Sequence, residues 1–110
     1  MGRDQFESEM NRGFLQLLTL HLLEEKLYGY EIVQRMEKMG YCIEESSLYP
    51  LLRRLASKGL LESDWQVVEN KPRKYYVISK EGKQVREEIN AVWEKQNQIL
   101  NRVKEGAKDA

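Results

Sequence analysis

Apolar positions crowd the first quarter of the chain. Met10, Phe14, Leu17, Leu18, Leu20, Leu22, Leu23 and Leu27 recur at intervals that predict a helix over residues 5–26, apolar around most of its circumference. A helix of that kind is buried on several sides. Tyr28-Gly29 breaks the pattern, and the spacing of Ile32, Val33 and Met36 then predicts a second helix over Tyr30–Met39, with Gly40 in the position after its cap. A short connection, GYCIEE, leads to the run SSLYPLLRRLASKGLL at 46–61. At about 100° per residue, Leu48, Leu52 and Leu55 form one stripe with Leu51 on its edge. Ser46 or Ser47 is the expected N-cap, Pro50 falls near the end of the first turn, and Gly59 closes the helix. The opposite face holds Ser46, Pro50, Arg53 and Ser57, flanked by Tyr49 and Arg54.

Two runs rich in β-branched and aromatic residues follow, LLESDWQVV at 60–68 and KYYVI at 74–78. The polar turn between them contains Asn70 and Pro72 and places Lys71, Arg73 and Lys74 at a hairpin tip or its shoulder. Two helices joined by a short glycine-containing link, then a hairpin, make a winged helix-turn-helix. The last helix is expected from Glu81 to about Lys104. In it Val85, Ile89, Val92, Gln96, Ile99 and Val103 form an apolar seam that Trp93 and Leu100 widen. Such a seam, together with Phe14 of the apolar first helix, points to two subunits exchanging helices in a symmetric dimer, and hence to a palindromic operator. The expected fold is therefore mainly α with a small β-hairpin: residues 1–80 as a winged helix-turn-helix, residues 81–110 as a dimerisation helix and tail.

Composition changes the picture only locally. The 110 residues fit one domain, and the formal charge is zero. That total hides an uneven distribution. Residues 1–45 carry five basic and nine acidic side chains, residues 46–80 seven and three, and residues 81–110 six of each. The helix and hairpin therefore form a cationic middle segment. Because screening acts over about 8 Å at physiological salt, a phosphate backbone responds to that patch rather than to the total.

Chemistry has little support. Cys42 is the single cysteine, which excludes a disulfide within the chain and fits a reduced, cytoplasmic setting. The lone His21 lies in the leucine-rich first helix and is expected to be a core residue rather than a ligand. One Cys and one His make no metal set of the usual spacing, and no cofactor motif is present. Carboxylate pairs such as Glu24-Glu25 and Glu87-Glu88 fall on solvated helix faces. No segment is long and apolar enough to span a membrane.

The segments YGYEI at 28–32, SLYPLLRRLASKGLL at 47–61 and RKYYVISKEGK at 73–83, followed by a long terminal helix, resemble the PadR family of transcriptional regulators. The single terminal helix is similar to the short, LmrR-like subfamily. The resemblance implies that residues 46–54, with Ser46, Ser47, Tyr49, Pro50, Arg53 and Arg54, enter the major groove, while Lys71, Arg73 and Lys74 reach the backbone or minor groove. Ser46-Ser47 departs from the small residue and threonine usual before Leu-Tyr-Pro, and the wing loop is short. On the two-fold axis, Trp93 with Gln96 and Asn97 would form a flat slot for a planar aromatic or cationic molecule; the subfamily uses a tryptophan on the matching helix in this way. The expected function is a dimeric DNA-binding regulator, a repressor relieved by such a ligand. The alternative is a winged-helix protein-interaction module, against which Arg53 and Arg54 weigh.

Overall fold

The computed structural model describes residues 2–109, with side chains at residues 2 and 5–106. In chain order the elements are α1 (Arg3–Leu22), β1 (Leu27–Tyr28), α2 (Gly29–Lys38), α3 (Glu45–Ser57), β2 (Leu61–Val68), β3 (Lys71–Ile78) and α4 (Lys80–Asp109). The core joins Leu20 and Leu23 of the first segment to Leu27, to Ile32, Val33 and Met36 of α2, and to Leu48, Leu51, Leu52 and Leu55 of α3. Leu61, Tyr76 and Ile78 close it from the sheet.

The first helix is shorter than its periodicity suggests. The Leu23 amide closes on the Thr19 carbonyl at 3.0 Å, and the Leu23 carbonyl accepts the Ile78 amide at 2.7 Å. That long-range bond turns the chain so that Leu27 and Tyr28 pair with Tyr76 and Tyr75, making a third, two-residue strand instead of a helix end. The small hairpin is thus part of a three-stranded antiparallel sheet in the order β1-β3-β2. Burial on α1 is also one-ended. Leu17, Leu20 and Leu23 are buried, while Phe6, Met10 and Phe14 are exposed. His21 is not a core residue: it is exposed, with Nε2 3.3 Å from the Asn90 side-chain oxygen of α4.

α2 and α3 end alike, each with a glycine in the left-handed region, Gly40 at φ 87° and Gly59 at φ 79°. In both the next amide reaches back five residues, Tyr41 to the Met36 carbonyl at 2.9 Å and Leu60 to the Leu55 carbonyl at 3.0 Å. The start of α3 differs from expectation. Glu44 is the N-cap, with its carbonyl accepting the Ser47 and Leu48 amides at 3.0 and 3.2 Å, and neither serine caps. Pro50 consequently lies inside the helix and offers no N–H to the Ser46 carbonyl. The position is exposed, so water can serve that carbonyl instead.

The hairpin turn is only Glu69-Asn70, both at positive φ (52° and 65°), as a two-residue type I′ turn requires. Lys71, Pro72 and Arg73 are strand residues, not loop. Pro72 is tolerated because β1 covers β3 only at Tyr75 and Tyr76, leaving the strand open on that side near the tip.

α4 is anchored at its start. The Ser79 hydroxyl donates to the Gly59 carbonyl at 2.6 Å and accepts the Gly82 amide at 3.0 Å. Arg86 bonds the Glu24 carboxylate at 2.6 Å, holding that acid below its ordinary pKa. Beyond Ile89 the seam leaves the body, and Val92, Trp93, Ile99, Leu100 and Val103 are exposed. Gly82 is buried where a Cβ would strike the Leu60 carbonyl oxygen and the Ile78 side chain. Because backbone cannot yield as a side-chain tip can, Gly82→Ala should destabilise the fold by about 1–3 kcal/mol, read as a lowered melting temperature.

Candidate nucleic-acid interface

α3 buries one face completely, which leaves the other with a single orientation. Ser46, Ser47, Pro50, Arg53, Arg54 and Ser57 are all exposed, as the periodicity requires. Tyr49 is exposed as well, at 37%, but it alone among the outward residues also packs on a neighbouring helix. Its ring lies against Gly29 at the start of α2, where a Cβ would collide with it, and its hydroxyl donates to the Glu45 carboxylate at 3.0 Å. Burial pushes the phenol pKa up, and the neighbouring carboxylate adds to the rise. Tyr49 thus joins α3 to α2 with half its side chain, and Gly29 of the YGYEI segment is the residue that makes room. Glu45, which periodicity did not single out, reaches the same surface. Its signal is only its place one turn before Tyr49.

The hairpin divides its cations between two faces. Residues directly opposite in an antiparallel pair share a face. Lys74, opposite Trp65, therefore lies on the side that continues from the buried Leu61 and Ile78, and its Nζ stands 5.9 Å from the Trp65 ring and 5.6 Å from Tyr76. Arg73, opposite Gln66, lies on the other side with its guanidinium 4.6 Å over the Tyr28 ring, itself edge-on to Tyr75. Lys71 opens the strand at the tip and is exposed. The cations are ordered by aromatic neighbours rather than gathered in one loop.

Between α3 and the open edge of β3 runs a cleft of about 450 Å³. Tyr49, Arg53 and Glu45 line it from α3, Trp65 from β2, and Pro72, Arg73 and Lys74 from β3, with Tyr28 to Tyr30 at its floor. Ser46, Ser47, Pro50 and Arg54 lie outside its lining, on the exposed helix face. A second groove, about 640 Å³, lies between α1 and α4, lined by Met10 and Phe14 on one side and Trp93, Gln96 and Asn97 on the other. Phe14 also meets Tyr41 with ring centroids 5.6 Å apart. Among the described residues no cluster of His, Cys, Asp and Glu is arranged to hold a metal, and no helix is long and apolar enough to cross a membrane.

The sequence model of the transcriptional regulator PadR-like family matches residues 19–88. A transcriptional regulator of Mycobacterium tuberculosis, Rv3488, is 32% identical over 76 residues, 68% of this chain and 71% of that protein. The crystal structure of a PadR family regulator from Eggerthella lenta is similar with a TM-score of 0.87 at 40% identity, covering 91% of this chain and 89% of its own. The structure of Bacillus subtilis PadR in complex with operator DNA has a TM-score of 0.64 at 26% identity, over 68% of this chain and 45% of that longer one.

The contact between Gly29 and Tyr49 is open to a direct check. Gly29→Ala should lower stability by about 1–3 kcal/mol, and most of that loss should vanish in a Tyr49→Ala background, because the ring is what the methyl meets. Thermal unfolding of the two single variants and the double variant closes the cycle.

Proposed function

The chain belongs to the PadR-like family of transcriptional regulators, and from that membership we propose that it binds duplex DNA with α3 in the major groove and the hairpin beside it. One observation carries the reading. Cations from two segments far apart in sequence, Arg53 on α3 and Lys74 on β3, line one cleft next to an exposed helix face, with Arg73 at the open edge of β3. Ser46, Ser47 and Pro50 keep that face small, so that backbone and bases can approach closely, with Tyr49 and Arg54 at its flanks. Lys71 at the hairpin tip reaches the flanking phosphates. An apolar outward face, which a protein-interaction module would need, is absent from α3 as described: its exposed side is hydroxyl, proline and guanidinium.

The proposed unit is a two-fold dimer, with residues 1–80 as the DNA-binding part and 81–110 as the dimerisation helix and tail. Val92, Trp93, Ile99, Leu100 and Val103 on α4, and Phe6, Met10 and Phe14 on α1, leave an apolar surface that a second copy would cover, with Val85 and Ile89 at its inner end. Two-fold pairing presents two α3 helices to a palindromic operator. The groove holding Trp93, Gln96 and Asn97 is then the seat of a planar aromatic or cationic effector that relieves repression, as the resemblance to the short, LmrR-like subfamily implies. An effector acts only if it prefers one arrangement of the two subunits. The lone cysteine, Cys42, is exposed and free, in keeping with a cytoplasmic setting.

Binding to duplex DNA should weaken steeply with salt, since each neutralised phosphate releases counterions. Arg53→Ala should cost roughly 1–3 kcal/mol on the selected site if the side chain reads a base edge, whereas Lys71→Ala should weaken all duplexes alike and flatten the salt slope by about one unit. Titrations of a random duplex library at several salt concentrations separate the two; a protein without duplex affinity at low salt refutes the reading.

Assembly has its own test. Val92→Asp buries an unpaired charge in the proposed interface, which costs several kcal/mol. Sedimentation should show a dimer for the native chain and a monomer or unfolded chain for the variant, and planar cationic dyes should quench Trp93, in a Trp65→Phe background, only in the dimer. A native monomer at micromolar concentration excludes the two-fold arrangement.

A further inference from the structure

Phosphate contacts alone do not account for the inner face of the hairpin. Trp65 is 66% exposed and Val67 75%, although both occupy the face of β2 that begins with the buried Leu61. Directly opposite them stand Lys74 and Pro72. Where the hairpin overhangs α3 it is therefore apolar, with one ammonium group placed beside an indole. β2 is an edge of the sheet, and a tryptophan and a valine left in water on an edge strand invite pairing with other chains. An apolar surface kept in such a position marks a contact.

We infer that the cleft between α3 and the hairpin seats one sugar–phosphate strand of duplex DNA, with Trp65 packed on deoxyribose and Lys74 and Arg53 flanking the phosphates. This rests on the DNA-binding reading above and adds to it a salt-independent, apolar contact. The geometry of the duplex supplies the argument. A helix in the major groove and a hairpin at the adjoining minor groove are divided by a single backbone strand, so the space between the two elements must accept that strand. Tyr49, Arg53 and Glu45, whose carboxylate is occupied by the Tyr49 hydroxyl, form one wall of this space, and Trp65, Pro72 and Lys74 the other. A DNA strand alternates a largely apolar sugar with an anionic phosphate, and the walls offer the same two chemistries side by side. The ring also holds the Lys74 ammonium at the cleft, limiting the side-chain entropy lost on binding.

The test separates the apolar from the ionic contact by salt. Against a random-sequence duplex pool, Trp65→Ala should bind roughly tenfold more weakly than the native chain at every salt concentration, with an unchanged slope, as expected for lost apolar burial. Lys74→Ala should flatten the slope by about one unit. In a Trp93→Phe background, the Trp65 emission should shift when the duplex is added. Trp65→Ala with native affinity and a native circular dichroism spectrum overturns the inference while leaving DNA binding intact. Trp65 emission that responds to a planar dye and not to DNA overturns it too, by marking the cleft as a small-molecule pocket. A native chain that binds no duplex removes the DNA-binding reading and this inference with it.

Discussion

The burial of Leu48, Leu51, Leu52 and Leu55 against Leu20, Leu23, Ile32 and Met36 sets the orientation on which everything else in the molecule depends. A helix has little freedom to roll once a four-leucine stripe is fixed, because a rotation of one residue would expose apolar surface at about 25 cal/mol per Å². The outward face of α3 is therefore decided by what lies beneath it. Arg53, Arg54 and the serines need no ion pair or cap to point outwards. Burial and charge are divided between two sides of one helix, so Arg53, Arg54 and the serines are free of packing demands.

The surroundings of α3 refine that placement. Two left-handed glycines end α2 and α3, and the residues after them are bonded back into the helices they leave. From Gly59 the chain enters β2 at once, so the hairpin starts within reach of the helix it flanks. Ser79 then ties the start of α4 to the same glycine. The link between the end of α3 and the start of α4 is thus short, made by the Ser79 hydroxyl on Gly59 and the Ser79 amide on the Leu60 carbonyl. A tilt of α4 would therefore be felt at the root of the hairpin and at the end of α3. Charge plays a different part: a chain with no net charge still lines its cleft with three cations against the single carboxylate of Glu45, while other carboxylates are paired elsewhere, Glu24 with Arg86, Glu25 with Arg35 and Asp64 with Lys26.

Much of this was legible in the chain itself. The inward sets on α2 and α3, both closing glycines, the exposed Arg53 and Arg54 and the seam of α4 follow from a 3.6-residue period and from local rules, which involve neighbours within a few residues. Beyond Ile89 the apolar positions of α4, Val92, Trp93, Ile99, Leu100 and Val103, are exposed in the single chain. The failures share a cause. Leu27 fits the periodicity of α1 yet lies in a strand, because the Ile78 amide, more than fifty residues away, captures the Leu23 carbonyl. His21 sits among leucines in sequence but faces solvent near Asn90. Ser46 and Ser47 are good capping residues, but α3 starts before them, and capping preference is weaker than the packing of a whole helix.

Sequence alone determined the four helices and the hairpin strands, the buried stripe of α3 and the cationic bias of the middle segment, since each arises from residue spacing along one stretch of chain. Tertiary structure decided the relations between stretches. It placed Tyr49 on Gly29, set Lys74 and Arg73 on opposite faces of β3, and brought Trp65 across from Arg53 over a common cleft. None of these has a local signal, because strand register assigns faces only once the partner strand is known, and a ring finds its resting place only when two helices have docked.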